Sequence, residues 1–503
     1  MIKAPALSAD DMTIPRESHH ESASAAVPLC VDLDGTLIHS DLLVEGMLAI
    51  VSDPRGLRKI PRLLVGRRAL LKQRVAEAAA FDPALLPYNE QVLEYLRAQR
   101  AAGRLLVLAT GADSRVAHVV ADHLGLFDEV IASDGVRNLK GQAKAKALVE
   151  RFGQKGFAYA GNDSSDLPVW KSAKSAVIVN APRAVRDKAR RSAAVETEIY
   201  DKQSFVRSAV RAMRPHQWVK NLLVFVPMIM AHAVGEAWAW IHGLAMLAAF
   251  CATASGIYLV NDLADLSADR RHPRKRLRPF ASGKLPIVAG AVLATMLIAL
   301  GLGISSAIGA TAIIAIYAIA SISYSLVLKE FPLVDVFMLA GLYTIRMLGG
   351  GIATGHPASL WLLAFSGFLF LSLALVKRTE EMTAVARSAT RVASRRGYQP
   401  GDIILLQIFG AASAFSSSVV LALFVGSTSA LAQYRSPEFL WGIVPLILFW
   451  QCRLWLSTVR GHMHDDPIVF AAKDWVSWLV AACVLALVAA GASGLAFFNY
   501  GMQ

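Results

Sequence analysis

NDLADLSADRRHPRKRLRPF, residues 261–280, sets Asp262, Asp265 and Asp269 beside Arg270, Arg271, Arg274, Lys275, Arg276 and Arg278, and apolar stretches long enough to cross a bilayer flank it on both sides. Basic residues at helix ends orient a membrane protein, with Lys and Arg retained on the cytoplasmic face, so the arginines alone would fit a topology signal. Acidic residues contribute little to orientation, and the aspartates need another reason. Their i, i+3, i+7 spacing puts them on one face at the end of a helix that begins near Trp238. Three carboxylates on one stripe repel one another unless a cation sits among them. Hard oxygen ligands in this pattern suit Mg²⁺, which keeps waters and shares its sphere with substrate phosphates. Arg274, Lys275, Arg276 and Arg278 then supply donors for the remaining oxygens of a diphosphate.

The segment belongs to the more apolar part of a divided chain. Over 503 residues the sequence is 55% hydrophobic with a formal charge of +13, and its mean hydropathy is +0.45. Up to about Arg214 charge mixes with short apolar runs; from Trp218 onward long apolar blocks alternate with short polar connections. Spans of roughly 20 apolar residues are expected at 219–235, 237–260, 286–303, 306–327, 333–353, 358–376, 403–427, 438–458 and 475–498, nine in all. Lys and Arg gather in the connections 261–285, 328–332, 377–402 and 459–474, whereas 301–310 and 349–360 hold none. The charged loops and the N-terminal domain are therefore expected on the cytoplasmic side of the membrane, and the basic balance calls for no nucleic-acid partner. Cys30, Cys251, Cys452 and Cys483 make neither a disulfide framework nor a zinc pattern. Residues 1–26 have no apolar core and read as a disordered tail.

Polar groups inside the apolar blocks are costly and thus informative. Asp335 and Arg346 lie eleven apart, about three helical turns, on one face. A substrate-facing role and an internal ion pair are both open for them. Asp402, Asp465, Asp466 and Asp474 read mainly as helix caps or solvated loop residues.

The N-terminal half carries a different chemistry. CVDLDGTL, residues 30–37, is an apolar strand that stops at Asp32, Asp34 and Gly35; RLLVLATG (104–111) brings Thr110, and GFAYAGNDSSD (156–166) brings Asn162 and Asp166. In an open α/β sheet such strand ends meet at one crevice. The intervening basic stretch 53–74 is helical in pattern and reads as part of a small cap, its cationic face either solvated or against anionic lipid.

Two resemblances follow from these motifs. Asn261-Asp262-x-x-Asp265-x-x-x-Asp269, after RPHQWVKN (214–221), resembles the UbiA superfamily of intramembrane prenyltransferases over about residues 210–500. That resemblance implies nine helices around a lipid-open cavity and an aspartate-rich cytoplasmic site for Mg²⁺-diphosphate. RPHQWVKN, NDLADLSADRRHPRKRLRPFASG and KRTEE (377–381) look most like the polyprenyl-phosphate (decaprenyl-phosphate) phosphoribosyltransferase branch, which moves 5-phosphoribose from phosphoribosyl diphosphate (PRPP) onto a polyprenyl phosphate. Aromatic prenyltransferases carry a second Asp-x-x-x-Asp motif, where residues 377–402 offer only Glu380 and Glu381 among basic residues. Lys377, Arg378, Arg395 and Arg396 suit a diphosphate plus a lipid monophosphate, although Arg395 and Arg396 also fit a plain basic loop. The resemblance further implies substrate contacts for Lys220, Asn261, Tyr324, Lys329, Asp335 and Arg346. Prenyl transfer from a polyprenyl diphosphate to an aromatic or other small acceptor is the alternative reaction, and a non-catalytic lipid carrier is a third reading.

The N-terminal pattern resembles the haloacid dehalogenase (HAD) superfamily over about 27–205. Carried over, Asp32 is the phosphoryl-accepting nucleophile and Asp34 the general acid and base, with Thr110 and Lys140 on the phosphate and Lys144 as the substitute lysine. Mg²⁺ would rest on Asp32, Asp34 and Asp166. Asn162 stands where many members have an Asp. The expected architecture is thus a multidomain chain: a disordered tail (1–26), a Rossmann-like α/β HAD domain (27–205) and an all-α polytopic membrane domain (206–503). A polyprenyl lipid, a phosphorylated small-molecule donor and the bilayer are the expected partners.

Overall fold

The computed structural model describes residues 27–52, 68–79, 81–201, 204–387, 397–463 and 466–493. The tail 1–26, most of the basic stretch 53–74, Arg395, Arg396 and Asp465 lie outside them. The chain forms two compact units: the described residues up to Leu37 together with Glu90–Tyr200, and Ile38–Asn89 together with the residues from Asp201 on.

The first unit is a six-stranded sheet, all pairings parallel, in the order β3-β2-β1-β4-β5-β6. Its strands are β1 Leu29–Val31, β2 Leu106–Asp113, β3 Glu129–Ser133, β4 Ala158–Gly161, β5 Ser175–Val179 and β6 Ala194–Ile199. Strands buried on both faces read as unbroken apolar runs, which is why LCV and AYAG, without alternation, occupy the centre with every residue buried. Cys30, Val107, Phe157, Tyr159 and Trp170 pack there with the helices that cover the sheet. Burial pushes the Cys30 thiol up to about 12. The register pairs Val31 with both Leu108 and Ala160. Asp32, Thr110 and Asn162 follow these positions and emerge at the carboxyl edge, where the strand order reverses.

The second unit is helical. Among its described residues seven helices are long and apolar enough to span a membrane: Ala237–Ala264, Ile287–Ala307, Val334–Thr354, Leu360–Ala384, Asp402–Val425, Pro437–Val459 and Trp475–Ser493. Two of the nine spans expected from hydropathy take other forms. Thr311–Leu326 is a helix of 16 residues, and the stretch expected at 219–235 becomes a 3₁₀ run Pro215–Phe225, a short helix Val226–Met230 and a turn. Pro215 and Pro227 each remove a helix donor, and Lys220 and Asn221 point their polar ends into the unit. Ile241, Met296, Ile404 and Phe415 are exposed, as side chains facing hydrocarbon would be. Trp475 and Trp478 stand beside the charged 459–474 connection, with Trp238 and Trp441 next to the less charged ones, in the manner of interfacial aromatic belts.

Small residues let the helices approach closely. Gly350 faces the Val224 backbone so tightly that a Cβ would stand 1.9 Å from the Val224 carbonyl oxygen, whereas at Gly341 on the same helix it would meet nothing within 4 Å. Gly350→Val therefore destabilises the protein by about 1–3 kcal/mol or more and Gly341→Val far less, a difference read from thermal unfolding of the detergent-solubilised variants.

Candidate functional site

In the membrane unit the helix carrying Asp262 ends at Ala264 and a short helix, Leu266–Arg271, carries Asp269. This break divides the aspartate stripe. Asp262 and Asp269 converge on one guanidinium nitrogen, Arg278 Nη1, which donates to Asp262 Oδ1 at 3.0 Å and Asp269 Oδ2 at 2.6 Å. Arg214 also donates to Asp262 and lies over the Tyr258 ring. Asp265 instead accepts Lys329 Nζ on both oxygens at 3.0 Å. Asn261 is half-buried at the same helix end, while Arg274, Lys275 and Arg276 lie exposed on the following turn. Of the four basic residues expected to serve a diphosphate, only Arg278 reaches the aspartates, because the chain turns outward after His272.

Arg278 marks a point where two carboxylates meet a cation. Among the described residues no cluster of three or more His, Cys, Asp or Glu could hold a metal alone. Two carboxylates fit Mg²⁺ if substrate oxygens and water complete its octahedron.

Elsewhere in the unit, Lys220 Nζ donates to Asp466 Oδ2 at 2.7 Å and Lys377 Nζ to the same oxygen at 3.2 Å, with the Tyr343 hydroxyl 3.3 Å away. Burial opposes a charge on Asp466, yet the two ammonium groups hold its carboxyl well below the usual range. Asp466 does cap the helix Pro467–Lys473, as the sequence suggests, but it also binds two cations. Arg346 donates to Asn221 Oδ1 at 2.7 Å and to the Tyr317 hydroxyl at 2.9 Å. Asp335 pairs with Arg378, not Arg346, and accepts from Tyr398 at 2.5 Å. Eleven residues separate Asp335 from Arg346 by about 16 Å along the axis, so each finds its partner on another element. Arg378, expected to contact phosphate, is fully buried between Asp335 and Glu381. Tyr324 is half-buried within electrostatic range of Lys377.

At the sheet edge Lys144, not Lys140, is the site lysine. Lys140 is exposed; Lys144 is buried and donates to Asp32 Oδ1 at 2.7 Å and to the Tyr159 hydroxyl at 2.8 Å, with Asp166 Oδ1 3.8 Å away. Lys140 precedes the helix Gln142–Phe152, whereas Lys144 lies in its first turn, facing the strand ends. Burial raises the Asp32 carboxyl to about 6 against the opposing pull of Lys144. Tyr159, which sequence reading passed over as a strand residue, donates to Asp166 Oδ1 at 2.8 Å; burial and that carboxylate hold its hydroxyl protonated. Asp166 Oδ2 accepts the Asn162 and Asp163 amides. Asn162 accepts from Thr36 and leans over Gly35, whose φ of +76° and lack of room exclude any side chain. Thr110 is buried within β2, three residues before its end, and Asp34 is half-buried, within electrostatic reach of Lys144. Two carboxylates again meet at one cation, so the residues fit a divalent ion shared with a phosphate, one charge short because of Asn162.

A family model for UbiA prenyltransferases matches residues 222–470, and one for haloacid dehalogenase-like hydrolases matches 29–171. The uncharacterized protein y4nM of Sinorhizobium fredii is 37% identical over 465 residues, covering 91% of this chain and 90% of its own. A decaprenyl-phosphate phosphoribosyltransferase of Mycolicibacterium smegmatis is 30% identical, covering 54% of this chain and 89% of its own. The chain belongs to the UbiA prenyltransferase family. It carries a HAD-like hydrolase domain on its N-terminal side. A solved UbiA homolog from Archaeoglobus fulgidus bound to GPP and Mg²⁺ aligns with 56% of this chain and 99% of its own at 15% identity and a TM-score of 0.45.

The UbiA aspartates are thus held by Arg214, Arg278 and Lys329, and the HAD aspartates by Lys144 and Tyr159. In the HAD unit Lys144→Ala lowers hydrolysis of a generic phosphomonoester by about a hundredfold or more, while Lys140→Ala stays near the parent rate; steady-state assays of both variants check the assignment.

Proposed function

We propose that the membrane unit transfers 5-phosphoribose from PRPP to a polyprenyl phosphate at the cytoplasmic leaflet, and that the HAD unit removes the 5-phosphate from the lipid product. The observation that carries this reading is the convergence of Lys220 and Lys377 on the single carboxylate of Asp466, with Arg346 nearby. An interior with more cations than anions suits two phosphorylated substrates better than a second metal-bound diphosphate. The likeness to the decaprenyl-phosphate phosphoribosyltransferase of Mycolicibacterium smegmatis supports it.

In this mechanism Asp262 and Asp269 would hold Mg²⁺, which would supply positive charge to the leaving diphosphate. Arg278 and Arg214 exchange their carboxylate partners for diphosphate oxygens, to which each guanidinium can offer a two-point fork. Lys220 and Lys377 orient the lipid phosphate so that its oxygen attacks the anomeric carbon as the diphosphate departs. An apolar cavity of about 290 Å³, lined by Met230, Trp361, Phe365, Phe424 and Ile447, offers hydrocarbon surroundings for part of the lipid. Trp361 and Lys377 share one helix, sixteen residues or about 24 Å apart.

In the HAD unit Asp32 attacks phosphorus as Asp34 protonates the departing alcohol; water, deprotonated by Asp34, then attacks the aspartyl phosphate and releases inorganic phosphate, while Lys144 and Thr110 hold the phosphoryl oxygens. A phosphatase on the same chain meets the lipid product at high effective concentration.

Membranes containing the protein, offered labelled PRPP with polyprenyl phosphate or labelled polyprenyl diphosphate with an aromatic acceptor, test the reading. Label from PRPP is expected in the lipid phase, cut by about a hundredfold or more in Asp262→Asn. Asp32→Asn is expected to leave the 5-phosphate on the lipid. Incorporation from polyprenyl diphosphate alone overturns the transfer, and an unchanged product profile in Asp32→Asn overturns the coupling.

A further inference from the structure

The stretch that interrupts the HAD sequence after Leu37 belongs to the membrane unit. Its first helix, Leu42–Ser52, brings Glu45 to Arg270, the residue after Asp269. Arg270 Nη1 donates to Glu45 Oε2 at 3.0 Å and Nη2 to Oε1 at 2.6 Å, a two-point pair in which each side chain is only 8% exposed. Ser40 donates to the same carboxylate at 2.5 Å. The third donor of Arg270, Nε, reaches the Ala281 carbonyl at 3.2 Å. Ala281 lies three residues beyond Arg278, in a turn that Phe280 anchors by complete burial. One guanidinium thus ties the helix bearing Asp269 to the turn bearing Arg278, and Glu45 fixes that guanidinium. Leu48, one turn further along, packs into the apolar cluster of Leu263, Leu266 and Phe280 beneath the same segment.

We propose that Glu45 is a positioning residue of the membrane site: through Arg270 it sets the separation of Asp269 and Arg278, and so the affinity for a metal-bound diphosphate. The proposal rests on the reading of Asp262 and Asp269 as the Mg²⁺-diphosphate site. Removing the carboxylate leaves Arg270 buried beside Asp269 without its counter-charge, free to compete for it. Groups that orient ligands from behind typically change affinity by about 10–100-fold when removed.

Binding of Mg²⁺ with pyrophosphate to the full-length protein in nanodiscs, by calorimetry, tests this alongside thermal melts. Glu45→Gln is expected to lower the melting temperature, because it strands a buried charge, and in addition to weaken binding about tenfold and raise the KM for PRPP without changing the KM for the lipid. Leu48→Ala, which removes packing but not the charge, is expected to lower the melting temperature and leave binding unchanged. If the parent binds and Glu45→Gln binds equally well, or if both variants lose affinity in step with stability, the positioning role is overturned. A parent protein that fails to bind Mg²⁺-pyrophosphate overturns the diphosphate reading and this role with it.

Discussion

Neutralising carboxylates in a poorly hydrated interior governs the membrane unit. An unpaired buried charge costs several kcal/mol, and the chain meets that constraint by matching acids with bases from distant elements. Asp262 takes Arg214 and Arg278, Asp265 takes Lys329, Asp335 takes Arg378, and Asp466 takes Lys220 and Lys377. Arg214–Asp262, Lys329–Asp265 and Lys220–Asp466 are separated by 48, 64 and 246 residues. Electrostatic pairing and three-dimensional arrangement are therefore one requirement: helices that failed to pack would strand their charges in hydrocarbon.

The same pairing makes the site responsive. Cations resting on aspartates are donors already gathered where phosphate oxygens would arrive, so a metal and an anionic substrate entering together exchange one set of partners for another. The HAD unit follows the same logic in water-soluble form, with Lys144 between Asp32 and Asp166. In each unit the polar centre lies where rigid elements end, at a strand edge or a helix break.

Sequence reading reached the two-part architecture because its signals are strong: long apolar blocks on one side, and on the other apolar runs that stop at Asp-x-Asp and Asn-Asp. The aspartates themselves were legible. Their partners were less so, since pairs such as Arg214–Asp262, Lys329–Asp265 and Lys220–Asp466, 48 to 246 residues apart, leave no local periodicity. Arg214 stood first in the quoted RPHQWVKN yet drew no role, and Tyr159 passed as an ordinary apolar strand position. Asp466 resembled a cap because it is one; only the fold brings two lysines to it. The first expected span failed as a regular helix because hydropathy averages over Lys220, Asn221 and Pro227, whose individual demands break it. Lys140 and Lys144 are indistinguishable by composition, and only the point where the helix begins separates them.

The pairing of Glu45 with Arg270 spans 225 residues. At synthesis rates of about 5–20 residues per second, Glu45 leaves the ribosome between about 10 and 45 s before its partner is made. During that interval β1 also waits, since both strands that flank it come later in the chain. The helix Leu42–Ser52 is thus made well before its partners, and with an unmatched carboxylate and an apolar face it must be kept from premature association until the first membrane helices are in place.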